Sequence, residues 1–133
     1  MTLRNSIVFG AALAVVSFAA LPAAAHHGWG GNSNEVSTMT GMVVEGVKLA
    51  GPHATMKIRA EDGKTWDLTL APPFRTSSAG LKPDTIPVGS MVEVMGNKNL
   101  DPKRSEMKTV RVTYEGKRYT VYPEREAYLP PSR

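Results

Sequence analysis

Beyond its first 25 residues this chain keeps no helical period over any useful length; short runs instead alternate apolar and polar residues between glycine and proline breaks. Period-two alternation puts every second side chain on one face of a strand, so such a chain is restricted to β architectures. Met39–Leu49 is β-rich, and Gly41 and Gly46 within it predict a bulge or strong curvature. Gly51-Pro52 turns the chain, and His53–Ala60 then sets Ala54, Met56 and Ile58 against Thr55, Lys57 and Arg59. Asp62-Gly63 is a hairpin signal. It leads into Thr65–Leu70, with Trp66, Leu68 and Leu70 on one face.

Ala71–Pro87 holds four of the ten prolines and cannot be a strand, although Arg75–Leu81 has room for a short helix or turn. Strand signals resume in Met91–Gly96 and Glu106–Tyr114, with Asn97–Arg104 between them as a polar loop. Glu115-Gly116-Lys117 then turns the chain into Tyr119–Tyr122. Five principal strands, curled by glycines and interrupted between the third and fourth, predict an all-β fold: a small five- to six-stranded OB-like barrel, mostly antiparallel. The alternative is a β-sandwich, which usually needs about seven strands.

The first 25 residues carry the three parts of a secretory signal. Arg4 is the positive start, Ile7–Ala20 the apolar stretch, and Ala23 and Ala25 the small residues that a signal peptidase reads. The apolar stretch is short for a span, which takes about 20 apolar residues. Residues 1–25 are therefore expected to be a cleaved signal peptide, with cleavage after Ala25 or, less favourably, after Ala24. The expected organisation continues with a flexible N-terminal arm over 26–38, the OB-like barrel over 39–122 and a loose proline-rich tail over 123–133. The expected location is periplasmic or secreted, with no transmembrane anchor after cleavage.

Removing 25 residues from 133 leaves 108, enough for one modest core. Arg4 is the signal's only charge, so 15 basic residues face 12 acidic ones, a spread-out excess of +3 that is no nucleic-acid footprint. The chain contains no cysteine. Disulfides, thiolate metal sites and cysteine nucleophiles are excluded, and a transition metal would need histidine, carboxylate, thioether or backbone nitrogen.

Several landmarks occur together: Ala25-His26-His27, Gly51-Pro52-His53, Trp66, and Gly89-Ser90-Met91-Val92-Glu93-Val94-Met95-Gly96. In these the chain resembles a bacterial family of small exported domains of unknown function. Such proteins begin Ala-His-His after the signal and carry an Asn-Pro-His loop after the first strand. A tryptophan in the third strand and a Gly-x-x-Val-x-Val-x-Gly strand follow. Gly51 stands where the family has asparagine. The resemblance covers nearly all of the chain after the signal and implies an exported OB-like β-barrel. It implies no activity.

Three histidines carry the most informative chemistry. Imidazole is the commonest protein metal ligand, because it offers a neutral lone pair near neutral pH. Cleavage after Ala25 would free an α-amine on His26, so amine and ring could chelate one ion, with His53 supplying a second ring and His27 a further one. Nitrogen sets of this kind suit Cu(II). Cleavage after Ala24 would place histidine third, the arrangement for a square-planar Cu(II) or Ni(II) chelate through backbone amides. The bland alternative is a solvated histidine pair, with His53 bonded to backbone in a turn.

Met39, Met42, Met56, Met91, Met95 and Met107 all lie on expected strands, where core packing explains them more simply than thioether ligation of Cu(I). Nucleophile elbows and phosphate-cradling glycine loops are missing, so a catalytic site has no support. Trp66, Tyr114, Tyr119 and Tyr122, with Arg118, form a candidate ligand or partner surface. The expected function is that of an exported protein binding Cu(II) through His26, His27 and His53. The alternative is a periplasmic protein- or glycan-interaction module, and third comes a copper-dependent redox enzyme.

Overall fold

The computed structural model describes residues 29–129. Six strands form the frame: β1 (Asn32–Lys48), β2 (Thr55–Ala60), β3 (Thr65–Thr69), β4 (Met91–Asn99), β5 (Glu106–Tyr114) and β6 (Lys117–Thr120). A short helix, α1 (Pro73–Ser78), lies between β3 and β4, and a 3-10 helix (Pro123–Tyr128) follows β6. β1 pairs antiparallel with both β2 and β4, β2 with β3, and β4 with β5. A parallel pairing of β3 with β5 closes the ring. That connectivity, with a helix between the third and fourth strands, is an OB-like barrel, as the alternation and the central break predict.

β1 can serve two neighbours because it changes partner at Gly41, which faces Ala60 of β2 on one side and Val92 of β4 on the other. A Cβ at that position would lie 2.7 Å from the Arg59 carbonyl oxygen, so the crossing is open to glycine alone without a shift of backbone. The interior is filled by the alternating residues read from sequence. Met56, Ile58, Trp66, Leu68, Leu70, Val92, Val94, Met107 and Val112 are all buried in one cluster with Leu81, Ile86 and Val121. Met56 and Met107 pack there as expected. Met95 is also buried, whereas Met91 and its cross-strand partner Met42 are exposed.

Three sequence-based boundaries need correction. β1 begins at Asn32, so Asn32–Thr38 belongs to the barrel wall and not to a flexible arm. Its polar residues show no apolar alternation because this half of the strand is held by its backbone. It pairs along β4 from Val36, and the Asn97 side-chain amide donates to the Ser33 and Glu35 carbonyls where the ladder is irregular. β4 runs on to Asn99, through the first part of the expected polar loop. The segment after Tyr122 is not loose as far as Leu129. Arg75 pairs with Glu124 and Arg111 with Glu126, fastening the 3-10 helix to α1 and β5. Residues 1–28 and 130–133, and with them the signal peptide, the cleavage site, His26 and His27, lie outside the described residues.

Candidate functional site

His53 sits in the β1–β2 loop, a position at which OB folds commonly meet ligands. Gly51 precedes it with φ +71°, in the left-handed region that favours glycine. Ala54 follows it and is fixed on both sides: its N–H donates to the Ala71 carbonyl at 3.0 Å, and its carbonyl accepts from the Leu70 N–H at 2.8 Å. The loop is therefore mounted on the end of β3. The His53 ring is half-buried and has no hydrogen-bond partner among the described residues. Burial, and then the charge of Lys108, push its pKa below the usual imidazole value, so the ring is neutral at pH 7.

Lys108 belongs to an aromatic–cation cluster beside the His53 loop. The Trp29 and Tyr122 rings meet edge to face with centroids 5.1 Å apart. The Lys108 ammonium lies 5.6 Å from the Trp29 centroid and 5.4 Å from that of Tyr122. Arg75 stands over Tyr122 at 5.1 Å and Arg125 over Trp29 at 3.9 Å. The Tyr122 hydroxyl donates to the Leu70 carbonyl, which ties the cluster to the end of β3. Lys108 is only 4% exposed, and burial pushes its pKa down. No carboxylate pairs with it among the described residues.

A cavity of about 260 Å3 adjoins this cluster between the outer side of β4–β5, the first residues of β1 and the 3-10 helix. Asn34, Val36, Asn97, Val110, Arg125 and Leu129 line it. Sequence reasoning missed this region. A lysine inside an alternating strand and a tryptophan in a glycine-rich lead-in give no local sign that they will meet.

The expected aromatic surface is not formed. Trp66, Tyr119 and Tyr122 are 9%, 6% and 6% exposed and belong to the core cluster, with Tyr114 packed against it. They also lie apart. Trp66 donates its indole N–H to Asp62 in the β2–β3 hairpin, with Lys98 over its ring. The ring of Tyr119 lies beside Gly80 and under Lys117, and Tyr122 lies against Trp29. Arg118 is exposed on β6 opposite Thr113. Tyr119 points inward opposite the buried Val112, whereas Tyr122, of the opposite parity to the buried Val121, is covered by Trp29 and Arg75.

Among the described residues no three of the side-chain types histidine, cysteine, aspartate and glutamate come together as a metal cluster. Of the expected ligands, only His53 falls within those residues. Nor is any helix there long and apolar enough to cross a membrane. No protein-family description, curated protein or solved structure matches this chain.

Proposed function

We propose that the protein is an exported Cu(II)-binding protein whose ligands are His26, its α-amine freed by signal cleavage, His53 and His27. The observation that carries this reading is the packing of Trp29 on Tyr122 and Lys108, the same lysine whose charge reaches His53. Trp29 follows His27 by two positions, so a reach of at most about 7 Å separates the histidine pair from a residue packed beside the His53 loop. A half-buried ring without a hydrogen-bond partner further favours a ligand over a turn-orienting histidine. The positive Lys108 opposes any cation there, so binding has to come from nitrogen coordination. Of the first-row divalent ions, Cu(II) is held tightest by such donors.

Competition titrations on the processed protein, its His53→Ala variant and a free peptide copying His26 to Asn34 test the reading. The protein should bind Cu(II) more tightly than the peptide, because the mounted His53 adds a ligand already in place. His53→Ala should remove that advantage without unfolding the barrel, and a residue added before His26 should weaken binding by displacing the amine. Equal affinity for all three would make the terminal histidines an adventitious chelator and move the interaction-module reading to first place.

A further inference from the structure

The cavity beside the 3-10 helix brings Asn97 and Arg125, which the copper reading does not use, next to the packing of Lys108 on Trp29, which it does. Asn97, one of its lining residues, is 4% exposed, and both of its side-chain N–H groups are committed, to the Ser33 carbonyl at 2.9 Å and the Glu35 carbonyl at 3.3 Å. What remains on that amide is its Oδ1, an acceptor held in one orientation. A hydroxyl group is the complementary partner.

Arg125, a second lining residue, lies over Trp29, and a stacked guanidinium keeps its N–H donors in the plane of its fork. No carboxylate pairs with it among the described residues. The acidic residues on either side of it in the 3-10 helix are already engaged, Glu124 by Arg75 with contacts of 2.7 and 3.1 Å and Glu126 by Arg111 at 2.9 Å. The third feature is Lys108, the cross-strand partner of Asn97 on β5 and the buried cation on the same tryptophan. Arg125 therefore lines the cavity beside one oriented acceptor, and Lys108, the cross-strand partner of that acceptor's residue, adds a second positive charge against the same ring. Leaving a buried cation unpaired is costly, and an anion arriving from solution relieves it.

The remaining lining is the polar Asn34 with three apolar residues, Val36, Val110 and Leu129, and the volume of about 260 Å3 suits a molecule near the size of one sugar ring. We propose that this cavity binds a small hydroxycarboxylate, with the carboxylate on Arg125 in the field of Lys108 and a hydroxyl on Asn97 Oδ1. Two sources carry that chemistry: a free hydroxy acid, or the uronate end of an acidic polysaccharide. The site shares Trp29 and Lys108 with the copper reading but none of its ligands, so either proposal can fail without the other.

The processed protein is titrated with D-glucuronate and with tartrate, by calorimetry and by following the Trp29 indole N–H resonance. Glucose (hydroxyls without a carboxylate), succinate (carboxylates without a hydroxyl) and sulfate are the controls. At least one hydroxycarboxylate should bind saturably, with the controls about tenfold weaker or worse, since each charge-assisted hydrogen bond lost is worth about that factor. Glucuronate alone binding supports the polysaccharide source, and tartrate alone supports the free acid. Arg125→Gln should weaken binding about tenfold, and Lys108→Met should weaken it by less, through loss of the nearby charge. Arg125 lies on a surface helix, so its variant is informative even if Lys108→Met folds poorly. The proposal is overturned if neither hydroxycarboxylate binds, if sulfate binds as well as they do, or if folded Arg125→Gln binds unchanged.

Discussion

Arg111 is buried on β5 beneath the 3-10 helix, and its surroundings give unequal weights to the two members of its ion pair. One guanidinium nitrogen donates to Glu126 at 2.9 Å, a second lies 2.9 Å from the Met95 sulfur, and Nε has no partner among the described residues. Glu126→Gln leaves the cation buried without a counter-charge. For a fully buried pair such a loss costs about 3–5 kcal/mol. The Glu126 side chain is 40% exposed, so water screens the remaining charge and about 1–2 kcal/mol is expected. In a domain of this size that lowers the melting temperature by about 5–15 °C. Arg111→Met, in contrast, removes the buried charge together with the orphaned Nε and fills similar space beside Met95. Its cost should stay within about 1 kcal/mol.

The pH dependence follows from the same contacts. The Glu126 carboxyl is held below its usual value, first by the Thr120 hydroxyl and then by Arg111. A depressed carboxyl contributes stability that is complete above its unfolded pKa and is lost as pH falls through the folded one. The gap between wild type and Glu126→Gln should therefore be constant near neutrality and close below about pH 4. Thermal melts by circular dichroism from pH 3 to 7 measure all of this. If Arg111→Met proved as damaging as Glu126→Gln, or if Glu126→Gln had no effect, the reasoning from an uncompensated cation would be refuted.

Two further outcomes follow from the packing and the proposed processing. Gly96→Ala should destabilise by about 1–3 kcal/mol in chemical denaturation, because its new Cβ would overlap the Lys108 carbonyl and force β4 from β5; an unchanged midpoint would show that the strands can separate there freely. Intact mass of protein recovered from the bacterial envelope should correspond to a chain starting at His26, or else at Ala25. A start at Met1 or beyond His27 would remove the α-amine from the proposed copper site.

Local sequence was a good guide wherever burial follows period two. The interior faces of β2 and β3, with Met56, Ile58, Trp66, Leu68 and Leu70, can be read from alternation alone, as can Val92 and Val94 on β4. So can the interruption that holds α1, because four prolines between Ala71 and Pro87 forbid a strand. His53 was singled out by residue type, and its place in the β1–β2 loop followed from Gly51-Pro52.

Other features depended on partners distant in the chain. The polar start of β1 is a strand because β4 offers it a backbone ladder and Asn97 satisfies its irregular stretch. The parallel β3–β5 pairing that closes the barrel leaves no mark in either segment. Lys108 alternates on β5 as a solvated lysine would, and it is covered by Trp29 and Tyr122, which come from before β1 and after β6. Tyr122 was read as a surface residue and is core for the same reason, whereas Tyr119 is core because it faces the buried Val112. A residue's periodicity is set by its own strand and can be read locally. Whether its outer face meets water or another segment, and so whether its charge is solvated or stranded, is set by chain closure.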